Sequence, residues 1–407
     1  MQSGSRYIIA TGIGLLALSI LYFLSLVLFV PFLVTVPVIF VSLVFIFGWI
    51  LKNAVSGADK IKHPAWAWVM LFAGVSVVVY RFPVLAVHYG GWDAWGIWNL
   101  HAKYLTDPVN WKKMFENIYF AHPEYPLFIP AVNGFFIRLF AGKYVMAIPF
   151  IFNFCMTLFI PVLIFLENVK KNIVVAGIFL FLFAADTFFL TKGATQYADT
   201  TLAFFFLCAF VCVNYADEDR KFVLLTAASA GCCVWIKDEG CILALIFIVF
   251  YSQTFFKKKN ILSFAIGAGV PIAIYLIYKI GYAPLSGTMS EKDNDMLSHL
   301  HDWGRYKTVY HFFIDNVNKK FYYVKVLFFL YLIVCVVQRQ WPGKQFLLII
   351  CCMAAYTMVY VTSSGSIEWL LDTSQERLMH QLMPALMYVF ALRFSEIQFS
   401  LAQQKTE

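Results

Sequence analysis

Apolar stretches dominate the chain, and short polar connections separate them. A helix that crosses a bilayer needs roughly 20 apolar residues, and its backbone polar groups must be paired within the segment. The pattern therefore predicts an all-α polytopic membrane protein with about twelve transmembrane helices, within a range of about 10 to 13 because several stretches are short. The predicted spans are 7–29, 33–51, 65–86, 144–166, 172–190, 199–216, 221–236, 240–256, 260–282, 322–338, 345–363 and 378–395.

Composition supports a membrane protein. Hydrophobic residues make up 61% of the 407 residues and charged residues only 13%, whereas soluble domains carry about 25% charged residues. The net charge of +8 is modest, and basic residues are not interleaved with stacking aromatics, so nucleic acid is not an expected partner. The nine cysteines lie in or beside apolar stretches without CxxC spacing, which predicts buried free thiols.

The placement of lysine and arginine predicts the orientation. If both termini are cytoplasmic, the short outer connections contain only Lys192, Lys237 and Arg377, and most other basic residues lie inside. This arrangement requires that the segment 123–142 does not cross the membrane, and the prolines that interrupt it favour a bent or surface-lying piece. Two long outer loops are then expected, at 87–143 with short helices and at 283–321.

The most unusual polar segment is Trp92-Asp93-Ala94-Trp95, which follows an apolar span. A carboxylate at a membrane boundary is costly unless it has a partner or a function. Asp93 is a candidate general base that takes a proton from an acceptor hydroxyl, and Trp92 and Trp95 are candidates for enclosing a sugar. The alternative is that the tryptophans form an interfacial belt and that Asp93 caps a helix over 94–104.

Further candidate residues gather at the predicted outer ends of other spans. Each has a structural alternative. The segment 122–126 could be a rigid loop with solvated polar side chains, and Asp199 could cap a helix. Lys237 could extend its side chain to the membrane surface, and Arg377 could pair at the surface with Glu376 or Asp372. If the lysine and the arginine are functional, the expected role of both is to bind a phosphate group. The candidates for donor or acceptor binding are His122, Glu124, Tyr197, Asp199, Lys237, Glu239, Arg377 and His380.

The acidic loop and the segment His122-Pro123-Glu124-Tyr125-Pro126-Leu127 together resemble the GT-C class of membrane glycosyltransferases, which includes protein O-mannosyltransferases and aminoarabinose transferases. Those enzymes carry an acidic residue in the first large outer loop and a proline-rich segment later in it. Ala94 stands where the mannosyltransferases have a second acid. The resemblance implies a GT-C-like catalytic domain over 65–407, preceded by a two-span extension over 1–64.

The resemblance also implies an activity. The expected reaction moves a sugar from a polyprenyl-phosphate donor to a hydroxyl or amine on a glycan, lipid or protein acceptor, with inversion, at the extracytoplasmic face of a bacterial inner membrane. Asp93 would act as the base, and Lys237 or Arg377 would neutralise the departing phosphate. No cofactor is expected to be required and no metal site is predicted, although some relatives use a divalent metal. The alternatives are a transporter or flippase of lipid-linked glycans, a polymerase or ligase, and a non-catalytic assembly subunit.

Overall fold

The computed structural model describes residues 1, 3–53, 64–116, 121–284, 296–364 and 366–397, and within these ranges the chain forms helices and turns but no β-strand. Two of its turns, Ala94–Trp98 and Leu371–Gln375, are π-helical, and Trp111–Phe115 is a 3₁₀ turn. The helices are α1 Ser3–Val27, α2 Phe32–Asn53, α3 Ala65–Leu85, α4 Asn99–Leu105, α5 Phe128–Leu139, α6 Ala147–Asn168, α7 Ile173–Ala185, α8 Thr187–Ala194, α9 Ala198–Val213, α10 Arg220–Ile236, α11 Gly240–Phe250, α12 Ser252–Phe255, α13 Ile261–Gly281, α14 Met296–His299, α15 Trp303–Lys319, α16 Tyr322–Val337, α17 Lys344–Thr362, α18 Ile367–Leu370 and α19 Glu376–Ser395.

The all-α prediction is confirmed, and a helix lies at each of the predicted spans. The number that are clearly transmembrane is smaller than predicted. In the described ranges six helices are long and apolar enough to cross a bilayer, or up to eight if the bent pairs α7–α8 and α15–α16 each form one span. The bends are 60° and 96°. The apolar helices are those of an integral membrane protein.

The helices that fall short of a full span include the central ones. All 16 residues of α9 are buried, so this helix contacts protein on every side. The N-terminal helix α1 packs into the same core, since Trp235 Nε1 donates a hydrogen bond to Ser19 Oγ at 3.2 Å. The Tyr22 hydroxyl of α1 also donates to the Leu105 carbonyl at 2.6 Å. Hydropathy alone does not separate such core helices from helices that face lipid.

Polar contacts define two opposite ends of the helix bundle. At the end that we call the basic end, Lys221 Nζ donates to Asn53 Oδ1 at 3.2 Å and Lys257 Nζ donates to Asp217 Oδ1 at 2.9 Å. The start of α1 reaches the same end, because Arg6 Nη1 donates to a carbonyl of α2 at 3.2 Å. The opposite end, which we call the site end, contains the C-termini of α3 and α10 and the N-termini of α9 and α19.

The loop 87–143 contains short helices, as predicted, in its described part. The surface-lying alternative for this segment is wrong, because nine of the 12 residues of α5 are buried between α1 and α4. At 1.5 Å per residue, α5 is only about 18 Å long and is too short to cross a bilayer. Of the loop 283–321, residues 285–295 lie outside the described residues, and the division into an extension and a catalytic domain stays a prediction.

Candidate active site

Two glycines shape the loop that carries Asp93. Gly90 has a φ of +79°, a conformation that favours glycine. A Cβ atom on Gly91 would lie 2.6 Å from the Tyr197 ring, so only glycine lets the loop pack this closely against the start of α9. The Gly91 N–H also donates a hydrogen bond to the Thr195 carbonyl at 2.8 Å. These contacts fix Asp93 beside the N-terminus of α9.

Asp93 forms an ion pair with Arg377 at the start of α19. Arg377 Nη2 donates to Asp93 Oδ2 at 2.5 Å, and Nε donates to Asp199 Oδ2 at 2.9 Å. The guanidinium carbon also lies 4.8 Å from the centre of the Tyr197 ring, within the range of a cation–π interaction. One guanidinium therefore joins two carboxylates that are distant in the chain.

The helix-cap interpretation of both aspartates is wrong. In the described part of the chain, the Asp93 side chain makes no capping hydrogen bond to the turn that follows it. Asp199 lies in the first turn of α9, but its Oδ1 accepts hydrogen bonds from Lys237 Nζ at 3.1 Å and from Gln381 Nε2 at 2.5 Å. Both carboxylates therefore serve an ion-pair cluster rather than a helix end.

Lys237 is buried, so the prediction of a snorkelling lysine is wrong. Its side chain is only 4% exposed, and Nζ lies 3.1 Å from Asp199 Oδ1 and 3.0 Å from Glu239 Oε1. A buried ammonium needs such compensation, because removing it from water is expensive. The Arg377 side chain is 14% exposed. It is therefore the more accessible of the two cations.

Glu376 precedes Arg377 in the chain but has different partners. Its carboxylate pairs with Lys192 of α8 and with Lys320 at the bend between α15 and α16. The expected surface pairing of Arg377 with Glu376 or Asp372 is therefore wrong. The separate pairing of Glu376 fixes the first turn of α19, which carries the guanidinium.

Both members of the central ion pair adjoin π-helical turns. The turn Ala94–Trp98 begins directly after Asp93, and the turn Leu371–Gln375 ends two residues before Arg377. Such turns add a residue to the helical ladder and are frequent at functional sites.

The alternative of a solvated rigid loop around 122–126 fits only one of its two polar side chains, since His122 is 42% exposed and Glu124 is 12% exposed. His122 Nδ1 lies 3.1 Å from Glu124 Oε1, and the His122 ring stacks on Tyr125 at 4.5 Å between centroids. Tyr125 stacks in turn on Trp98 at 5.5 Å. Burial raises the pKa of Glu124, but the hydrogen bond from His122 and the charge of Lys279 outweigh it and hold the pKa below its usual value.

Helix α13 ties this segment to the polar turn after α10. Lys279 Nζ donates to the Glu124 carbonyl at 2.7 Å and to Asp238 Oδ2 at 2.8 Å. The Tyr278 hydroxyl donates to the Pro123 carbonyl at 2.7 Å. The proline-rich segment therefore has a fixed position next to the turn that carries the buried lysine.

The two parts of the site adjoin each other. Asp238, which pairs with Lys279, lies between Lys237 and Glu239 in the chain, and Lys237 and Glu239 pair with each other. The structure thus brings together, in one cluster and at its edge, the predicted residues Asp93, His122, Glu124, Tyr197, Asp199, Lys237, Glu239 and Arg377.

The tryptophans beside Asp93 line an open surface. Trp92 and Trp95 are 53% and 54% exposed, and their ring centroids are 6.0 Å apart in an edge-to-face arrangement. Trp98, one turn further on, is buried. Only the first two tryptophans are therefore placed to contact a molecule that approaches Asp93.

His380 is not in direct contact with the ion pairs. It is fully buried, its Nε2 lies 3.0 Å from Thr200 Oγ1, and its ring packs against Phe189 at 5.6 Å. It belongs to the packing beneath the cluster and supports the start of α9.

Gln381 and Lys279 contact residues of the site and were not predicted. Gln381 lies four residues after Arg377 and thus on the same helix face, which was a usable signal. Lys279 is a cation in the last turn of the apolar helix α13, and a charge in such a position suggests a function or a partner. Neither signal identifies the partner, because the contacts of both residues are distant in sequence.

The fold and the cluster define an integral membrane protein with a largely buried charged site at one end of its helix bundle. Among the described residues, no group of three or more His, Cys, Asp or Glu side chains is arranged to hold a metal ion. The chain matches no protein-family model, no curated protein sequence and no solved structure in the comparisons made.

His101 of α4 predicts an acid-sensitive fold. Burial lowers the pKa of His101 from 6.5 to about 4, an effect that the charge of Glu124 partly offsets and that of His122 strengthens. The unfolded chain therefore binds a proton at higher pH than the folded chain. The free energy of unfolding falls as the pH drops from 6.5 towards 4, by roughly 2 kcal/mol at pH 5.

We expect His101→Gln to remove this part of the acid sensitivity. The check is the melting temperature of the purified full-length protein at pH 7.5 and at pH 5. The matched control is His311→Gln, because His311 is an exposed histidine of α15. An equal drop in melting temperature for His101→Gln and the unmodified protein would contradict the prediction.

Proposed function

We propose that the protein is a GT-C-type glycosyltransferase that transfers a sugar from a polyprenyl-phosphate donor to a hydroxyl or amine acceptor. The observation that carries this proposal is the pairing of Asp93 with Arg377 at the site end of an apolar helix bundle. A carboxylate accepts a proton, and a guanidinium fork matches phosphate oxygens. A lipid donor that lies in the membrane explains why the carboxylate and the guanidinium lie at the end of a bundle of apolar helices.

The proposed reaction is a single displacement. The acceptor oxygen or nitrogen attacks the anomeric carbon, the bond from that carbon to the phosphate oxygen breaks, and the configuration inverts. Asp93 takes the proton of the acceptor, and Arg377 neutralises the negative charge on the departing phosphate. Trp92 and Trp95 enclose the sugar and limit the access of water.

The structure narrows the role proposed for Lys237. Its Nζ is already shared between Asp199 and Glu239, so we assign phosphate contact to Arg377 and give Lys237 a positioning role. Lys237 holds Asp199, and Asp199 holds the Nε side of the guanidinium. The His122–Glu124 pair at the edge of the cluster is proposed to bind the donor or the acceptor.

We further propose that the protein lies in a bacterial inner membrane, with the site end facing the periplasm. Lysine and arginine are frequent at the basic end, which suits a cytoplasmic face. The proposal keeps about twelve spans, because a helix surrounded by protein need not match the roughly 30 Å of hydrocarbon as closely as one that faces lipid. Helix α9, buried along its full length, is such a helix.

The test is a turnover assay with the full-length protein in liposomes. Lipids extracted from the native membrane supply all its polyprenyl-phosphate sugars, and mass spectrometry follows the donors and the acceptors. We expect free polyprenyl phosphate to appear in step with glycosylated acceptor. The charge-matched control, Asp315→Asn on the exposed face of α15, should turn over at the rate of the unmodified protein.

The alternatives give different products. A transporter or flippase returns every donor intact in the opposite leaflet. A polymerase or ligase consumes a pyrophosphate-linked glycan and releases polyprenyl pyrophosphate. Either result overturns the proposal, as does an extract from which no polyprenyl-phosphate sugar is consumed.

A further inference from the structure

The two carboxylates on Arg377 differ in how firmly they are held. Asp199 is fully buried and also accepts hydrogen bonds from Lys237 and Gln381. The Asp93 side chain is 13% exposed, and its partner among the described side chains is Arg377. Any anion that reaches Arg377 from outside therefore displaces Asp93 more readily than Asp199.

The charges of the cluster also favour an exchange. Arg377 and Lys237 supply two positive charges, and Asp93, Asp199 and Glu239 supply three negative charges. A phosphate that joined this group without displacing a carboxylate would add to an existing negative excess. One that replaces Asp93 on the guanidinium keeps the most accessible cation paired.

The same ion pair restrains the proposed base. A carboxylate oxygen that already accepts a charge-assisted hydrogen bond from a guanidinium is occupied by that donor. In the described arrangement, Arg377 Nη2 lies 2.5 Å from Asp93 Oδ2, so this oxygen is not open to the proton of an acceptor. Catalysis requires that this contact is broken.

We propose that Asp93 occupies on Arg377 the position that the phosphate of the lipid donor takes over, so that donor binding itself releases Asp93 to act as the base. This inference rests on the proposed function and adds a regulation of the same site. Arg377 keeps its Nε contact with Asp199 throughout and presents the Nη2 side of its fork to the phosphate. The carboxylate of Asp93 then turns towards the exposed Trp92 and Trp95.

The exchange couples two steps that would otherwise be independent. Without a donor, the base is paired and water in the open site is not activated. When the phosphate binds, the cation that will stabilise the leaving group is engaged and the base becomes free in the same event. The site therefore becomes reactive only when the donor occupies it.

The exchange makes an unusual prediction for Asp93→Asn, because removing the competing charge should strengthen phosphate binding. The probe is farnesyl phosphate, titrated into the full-length protein in detergent, with farnesol and inorganic phosphate as separate arms. We expect Asp93→Asn to bind farnesyl phosphate about tenfold more tightly, equivalent to about 1.4 kcal/mol. Farnesol affinity should not change, and Asp315→Asn, which removes the same charge elsewhere, should bind like the unmodified protein.

The double variant Asp93→Asn/Arg377→Gln separates this effect from a general change in charge. We expect the tenfold gain to disappear in it, because the gain depends on the guanidinium. A gain for inorganic phosphate equal to that for farnesyl phosphate would show an anion site without lipid selectivity, and it would overturn the assignment to the lipid donor. Unchanged or weaker binding of farnesyl phosphate by Asp93→Asn overturns the exchange itself.

A second measurement uses the unmodified protein, so it does not depend on a variant folding. A carbodiimide modifies free carboxyl groups, and mass spectrometry quantifies its adduct on Asp93. We expect several-fold more adduct when farnesyl phosphate is present than when farnesol is present, and less adduct would overturn the exchange. If Asp93→Asn binds farnesyl phosphate more tightly but the unmodified protein transfers no sugar, the exchange is retained and the proposed function is rejected. If the unmodified protein transfers sugar but Asp93→Asn shows no gain in binding, the proposed function is retained and the exchange is rejected.

Discussion

Asp93→Asn is expected to lower the rate of sugar transfer by about 10³-fold, within the range of about 10²- to 10⁴-fold that general base catalysis contributes. Asparagine has nearly the same shape as aspartate but does not accept the proton of the acceptor. The measurement is kcat for release of polyprenyl phosphate by the full-length protein in liposomes. If the variant transfers sugar at the full rate, Asp93 is not the base.

The structure also predicts that Asp93→Asn remains folded. Arg377 keeps Asp199 as a partner, and the cluster changes from one net negative charge to none. We therefore expect a melting temperature close to that of the unmodified protein, so the loss of rate reports chemistry. A large drop in melting temperature would instead assign Asp93 a structural role. The control Asp315→Asn tests whether the loss of any one carboxylate at this end is sufficient to lower the rate of sugar transfer.

Helix positions could be predicted from the sequence because an apolar stretch in lipid must pair its backbone polar groups within the segment, and a helix does so. The number of clearly transmembrane helices could not. The hydropathy of α9 shows that the helix is apolar, but it does not show that other helices bury every residue of α9. The same limit applies to α5, whose prolines suggested a surface segment and whose residues are mostly buried.

The gathering of Asp93, Asp199, Lys237 and Arg377 could be anticipated, because all four lie at ends of apolar stretches that charge placement assigns to one face. Their pairing could not. The sequence around each residue contains a nearby candidate partner, such as a helix N-terminus for Asp199 or Glu376 for Arg377. In the fold, ion pairs form between elements far apart in the chain, and burial selects the arrangement in which the charges compensate one another.

Asp199→Asn is expected to cause the largest loss of stability among single substitutions in the cluster. Asp199 is fully buried and compensates two cations, Lys237 and Arg377. Breaking a buried ion pair by removing one partner costs about 3–5 kcal/mol, because a buried charge is left uncompensated. We expect a clear drop in melting temperature and a lower yield of folded protein in the membrane. Asp186→Asn, at the capped start of α8, is the matched control and should cost less than about 1 kcal/mol, because asparagine caps a helix about as well as aspartate.

The physical cause can be tested by removing the cation as well. If the loss arises from the uncompensated ammonium of Lys237, then Lys237→Met in the Asp199→Asn background should restore part of the melting temperature, because it removes that charge and keeps the volume. Contacting residues are expected to show such coupling, of about 0.5–3 kcal/mol. A double variant whose loss equals the sum of the two single losses would show that the pair is not coupled. In that case, the ammonium of Lys237 would be compensated by its second carboxylate partner, Glu239, rather than by Asp199.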